Sequence, residues 1–192
     1  MKNIKQYIIE KFKISSNNIP KYNYHPKNHD ELLDLIKKLL KERGNEADLN
    51  DIDTSEITDM SELFQKASRE WDSLKFENID ISDWNVSNVE NMRYMFSGCK
   101  NLKSIGDVSC WDIRNVKDMK QMFYLCMNFD GKDSGIENWD VSNVENMDRM
   151  FMHCNKLNLN LNNWKINNNF NIDWSMFYGT PLEKNPPKWY KK

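Results

Sequence analysis

Glycine and proline are scarce in this chain, 6 and 5 in 192 residues, which excludes collagen-like and Pro/Gly-rich low-complexity proteins. Charge of one sign is missing too. The 27 Lys+Arg meet 29 Asp+Glu for a net charge of −2, so no strong field advertises a nucleic acid or an anionic membrane. No window approaches the roughly 18 consecutive apolar residues of a membrane span. Residues 1–15 alternate Lys with Ile, Tyr and Phe and never form the apolar run of roughly 7 residues that a secretory signal needs. The carboxyl end carries no lipidation motif. The expectation is a soluble, cytoplasmic protein. Its 4 Cys include no C-x-x-C pair and no His cluster, which argues for reduced thiols rather than disulfides or zinc. There is no Gly-rich phosphate loop and no Gly-x-Ser-x-Gly, so no catalytic, cofactor or metal site is expected.

What the chain has in excess is Met and Trp, 11 and 7. A repeat accounts for both. Trp84-Asn-Val-Ser-Asn-Val-Glu-Asn-Met92-Arg-Tyr-Met95-Phe96 returns as Trp111-Asp-Ile-Arg-Asn-Val-Lys-Asp-Met119-Lys-Gln-Met122-Phe123 and as Trp139-Asp-Val-Ser-Asn-Val-Glu-Asn-Met147-Asp-Arg-Met150-Phe151. A weaker copy at 52–64 has Ile52 for Trp and Leu63 for the second Met, and another spans 164–177 with one extra residue. The Trp-to-Trp steps of 27, 28 and 25 residues are those of stacked repeat arrays, in which neighbours bury what one unit cannot.

Val89, Met92, Met95 and Phe96 fall at i, i+3, i+6 and i+7, one face of a short helix. Ser87 with Glu90 and Ser142 with Glu145 have capping-box spacing at its start. Leu157, Leu159 and Leu161 alternate with Asn158, Asn160 and Asn162, the period of a strand with one buried face. The expected fold is therefore α/β, a solenoid of about five strand-plus-short-helix units.

These phrases resemble the BspA-like leucine-rich repeat family, whose units read W-(D/N)-V-S-N-V-x-x-M-x-x-M-F-x-x-C-x-x-L. Residues 84–102 and 139–157 match throughout; 111–129 matches with Arg114 for Ser and Phe129 for Leu. The resemblance covers roughly 48–182 and implies a curved, leucine-rich-repeat-like solenoid, and often a surface or secreted binding role.

Three parts are expected: an amino-terminal helical cap at 1–47, the repeats at 48–182 and a tail or cap at 183–192. Asn28-His-Asp-Glu31 reads as a capping box opening a helix with Leu32, Leu33, Leu35, Ile36, Leu39 and Leu40 on one stripe and Gly44 as its stop. Ile4 and Ile14 bound a second candidate helix. These helices are either a cap or a docking module, and Trp189 and Tyr190 either fold back on the last unit or stay exposed. Cys99, Cys126 and Cys154 share one repeat position and are read as core, whereas Cys110 breaks the period and is expected to be exposed. Asn88, Asn115 and Asn143 share another, where stacked amides can bond the backbone of successive units. His153 beside Cys154 has no group to orient it as a base. The acidic stretch 48–53 lacks the Gly and distal Glu of a calcium loop.

The segments that vary between units are where a partner is sought. Candidate partner-binding residues are Lys103, Asp107, Lys132, Asp133, Asn158, Asn160 and Asn162. The expectation is a non-enzymatic interaction module that grips another protein through its strand face and inter-repeat loops, as an inhibitor or antagonist of it. The alternative is a surface or secreted adhesin. Neither a membrane nor a nucleic acid is expected as partner, although Lys2, Lys5, Lys11 and Lys13 leave a basic amino-terminal segment. The out-of-register residues Trp71, Met127, Met152, Trp174 and Trp189 are where an exposed contact is sought first.

Overall fold

The structure is a computed structural model that describes residues 21–69, 76–167 and 175–190. The candidate helix between Ile4 and Ile14, the lysines near it, Trp71 and Trp174 lie outside the described residues.

The repeat folds into turns. In each of the three clear copies apolar residues close successive i→i+3 hydrogen bonds, as in Val89 N–H to Val86 O, Met95 N–H to Met92 O, Cys99 N–H to Phe96 O and Leu102 N–H to Cys99 O. Between them, Asn and Asp side chains take the backbone N–H two residues on. Asn85 accepts from Ser87, Asn91 from Arg93, Asp112 from Arg114, Asp118 from Lys120, Asp140 from Ser142 and Asn146 from Asp148. These Asx turns offer the backbone a partner that a helix or strand would otherwise supply.

This corrects the expected strand-plus-helix solenoid. Among the described residues the chain has two α-helices, α1 (His29–Arg43) and α2 (Leu63–Arg69), and one two-stranded parallel sheet of β1 (Glu46–Asp48) and β2 (Asn78–Asp80), with two short 3-10 turns. Outside the first unit, which β1 leads into and α2 follows, no unit among the described residues pairs a strand with a helix. Ser87 and Ser142 donate their N–H groups to the Asx turns that Asn85 and Asp140 begin rather than opening capping boxes, and among the described residues only the first unit runs on into a helix, α2. The alternation at 157–162 is present in burial, with Leu in and Asn out, but no strand forms there.

The layers stack in the register of the repeat. Parallel bridges join Asp59 to Asn91, Asn91 to Asp118 and Asp118 to Asn146, so equivalent residues lie over one another. Phe64, Phe96, Phe123, Phe151 and Phe177 form one stacked column with ring centroids 4.9, 5.1, 5.6 and 6.1 Å apart. Each repeat Met in the three clear copies is buried. Every described indole N–H reaches back one layer: Trp84 to Leu49 O, Trp111 to Ile81 O, Trp139 to Val108 O, Trp164 to Ile136 O and Trp189 to Leu161 O. The carbonyls of Ile81, Val108, Ile136 and Leu161 also accept the backbone N–H of their own layer's Trp. Trp189 is thus the Trp of a further layer, stacked 6.2 Å from Trp164, and not out of register.

The helix α1 forms as its sequence implies. Asn28 accepts from Glu31 N–H, Glu31 accepts from Lys27 N–H, and Gly44 ends the helix with φ +75. Leu32, Leu33, Ile36, Leu39 and Leu40 are buried in the same apolar core as the layers. At the other end Tyr190 packs edge-on against Phe177 at 4.9 Å, so the tail folds back onto the stack.

Candidate functional site

The face that carries β1 and β2 continues through the later layers. Glu77 N–H bonds Asn45 O, Lys103 N–H bonds Glu77 O, and Asn158 N–H bonds Asp130 O, which sets Lys103 and Asn158 at equivalent positions. A second row is made of Asx caps: Asp48 to Asn50, Asp80 to Ser82, Asp107 to Ser109 and Asn160 to Asn162. Five of the seven candidate residues, Lys103, Asp107, Asn158, Asn160 and Asn162, therefore belong to this face and are exposed. Lys132 and Asp133 do not join these rows. They sit in the turn between Gly131 and Gly135, exposed, with 4.0 Å between ammonium and carboxylate.

The face changes character along the stack. At its amino-terminal end a shallow groove of about 410 Å³ is lined by Glu46, Asp48, Asn78, Asp80, Ser104 and Gly106 among others. Gly106 keeps it open, because a Cβ there would stand 2.5 Å from Asp80 Oδ1. Burial pushes the Asp80 carboxyl up, yet hydrogen bonds from Ser82 and Asn50 outweigh it and hold it below the usual range. The Ser109 N–H does the same for Asp107. Both are charged at neutral pH. Lys103 is held protonated by its pairing with Glu77. At the carboxyl-terminal end the exposed groups are neutral amides, with Asn160 Oδ1 accepting from the Asn162 side chain and Asn162 Oδ1 from Lys188 N–H.

The Asn column behaves as expected: Asn88, Asn115 and Asn143 each donate to a carbonyl of the preceding layer, Ser55, Ser87 and Arg114. The Cys column is core. Cys126 and Cys154 donate to Phe96 O and Phe123 O, and burial pushes the Cys99 thiol up to about 12 and the other two well above their usual value. A thiol so held is a poor nucleophile, and the His153 ring lies instead between Tyr124 and Tyr178. Cys110 is exposed, and Met127 is among the most exposed large apolar side chains. In the stretch 48–53, Asp48 and Asp53 cap turns and Asp51 pairs with Arg43 at 2.7 Å. Among the described residues no group of His, Cys, Asp or Glu is arranged to hold a metal ion, and no helix is long and apolar enough to cross a membrane.

Sequence reasoning missed the Asx turns. Their signal was visible in the three clear copies: Asn or Asp directly after the Trp and directly before the first Met, at 85, 112 and 140 and at 91, 118 and 146.

The geometry defines a repeat protein of stacked, turn-built layers. The chain belongs to the family described as Mycoplasma protein of unknown function, DUF285, whose model matches residues 34–135 and again 104–190. That family is related to the BspA-like repeats, while the leucine-rich-repeat side of the resemblance has no counterpart in the match. No curated protein and no solved structure matches the chain.

Proposed function

We propose that this chain is a non-enzymatic interaction module that holds another protein against the face bearing Lys103, Asp107, Asn158, Asn160 and Asn162. Lys132 and Asp133 stand in an adjoining turn. The observation that carries this reading is how the face is held. Its polar side chains stand in rows on a backbone tied layer to layer, and Asp107, Asn160 and Asn162 are each fixed by a backbone N–H. Side chains ordered before contact lose little freedom on binding. The partner that fits brings cations to the acidic end and hydrogen-bonding groups to the amide end. The free thiols support a reducing, intracellular setting. The module acts by occupying its partner's surface.

A photoreactive residue at Asn160, with Glu145 on another side as control, tests this in lysate of producing cells. A single saturable adduct is expected from Asn160, competed by unlabelled protein, with binding lost in Asn160→Arg. Equal adducts from both positions, or undiminished binding by Asn160→Arg, would overturn the assignment of the face.

A further inference from the structure

The turns after Phe96, Phe123, Phe151 and Phe177 each set a residue in the left-handed region. Two layers use glycine there, Gly98 at φ +78 and Gly179 at φ +73, but the two between them use Leu125 at +60 and His153 at +63. Left-handed L residues also stand at a second corner of the layers, Glu62, Tyr94, Gln121 and Arg149, so what sets Leu125 and His153 apart is the side chains they add where two other layers have only glycine.

These side chains and their neighbours present an apolar and aromatic surface. The His153 ring lies 6.3 Å from Tyr124 and 5.3 Å, edge-on, from Tyr178. It covers Gly179, where a Cβ would come within 2.5 Å of His153 Nδ1. Tyr178 is 52% exposed and Met127 37%, and Leu125 and Met152 are half-buried beside them in the repeat. At the rim, Asn128 anchors its side chain on Lys100 O. Lys100 and Lys156 are exposed and carry no ion-pair partner among the described residues. Glu183, the carboxylate at the far end, is already occupied by Gly179 N–H.

We propose that this corner is a second docking site, for a segment of another protein that presents an aromatic or branched apolar side chain flanked by carboxylates. Met127 and Met152 supply an adaptable apolar floor, and Tyr124, Tyr178 and His153 supply rigid ring area of the kind that dominates interface energies. Lys100 and Lys156 complement the acidic flanks. The corner follows the repeat Phe and is separate from the polar face, so either assignment can fail alone.

Panning a random peptide display library on the full chain tests it, with two variants in parallel: Leu125→Gly/His153→Gly, and Met127→Ser, whose backbone is untouched. The expected winners carry Phe, Tyr, Leu or Ile bracketed by Asp or Glu. They lose roughly tenfold or more in affinity against both variants, while neither variant loses thermal stability. Lys100→Glu weakens the same peptides. Basic or purely polar winners, peptides that bind the variants equally well, or no enrichment would overturn the proposal. So would two results seen for the wild type and lost in Met127→Ser: self-association in sedimentation, which makes a second copy the occupant, or binding to phosphatidylglycerol vesicles, which makes it a lipid surface.

Discussion

The amino-terminal helix and the stacked layers use the same residue types to opposite ends. At α1, Asn28 accepts the N–H of Glu31, three residues on, and the backbone continues as a helix. In the layers, Asn85 accepts the N–H of Ser87, two residues on, and the chain turns. The residues downstream of each Asn decide the outcome. After Asn28 come Leu32, Leu33, Ile36, Leu39 and Leu40, an apolar stripe with no Asn and only the exposed Asp34 between them. After Asn85 the next Asx cap, Asn91, arrives before two helical turns are complete and captures another N–H. A helix start needs an uncontested run behind it.

The comparison breaks most completely in the Phe column. Phe123→Ala should destabilise the chain by about 3–5 kcal/mol, measured by urea unfolding, because Phe123 packs against Phe96, Phe129 and Phe151 at once. Next come the two kinds of cap. Asp118→Ala removes the turn bond to Lys120 and the link to Asn146 and should cost about 1–2 kcal/mol, with amide exchange accelerating in the layers on both sides. Asn28→Ala should cost about 1 kcal/mol, with faster exchange confined to the first turn of α1. Equal spreading in both variants would erase the distinction.

Acid sharpens it. The Asp53 and Asp140 carboxyls are lowered by hydrogen bonds from Ser55 and Ser142, and Asp112 is held at about 2 by Arg114. Folded values below the unfolded value of about 3.9 give stability that is complete above it and lost as pH falls from about 4 toward about 2. Asp53→Asn/Asp140→Asn should flatten that loss while keeping the turns, since Asn85 already caps the equivalent turn. Urea midpoints at neutral and acid pH measure it. The smallest effect has the opposite sign. Leu125→Gly should stabilise by about 0.5–1 kcal/mol through relief of its left-handed backbone, read as a raised Tm.

Register, burial and the ends of α1 were legible in the sequence because identity of side chains encodes them directly. The repeat Trp, Met and Phe of the clear copies are buried, and the Asn and Cys columns stack as their spacing implies. The helical reading of Val89, Met92, Met95 and Phe96 failed for a physical reason. A chain of i→i+3 turns whose corners point inward repeats its apolar residues every three positions, as a helix face does. Both periods are present in one phrase, and only the Asx acceptors between the apolar corners tell them apart. The acidic end of the polar face was not legible, because Glu46 and Asp48 come from one layer and Asp80 from the next, and only stacking brings them together. Lys103, Asp107 and the three Asn were legible as variable, exposed positions, while Lys132 and Asp133 were grouped with them only because an insertion also varies.

The backward-reaching indoles give the stack a direction in time. Each acceptor carbonyl precedes its donor by 28 to 35 residues, so a chain leaving the ribosome always presents its new Trp to a layer already synthesised. Growth from the amino-terminal end then needs no residue still inside the tunnel to close an indole bond. Once Trp139 has cleared the tunnel, donor and acceptor of three of the five described indole links are outside it.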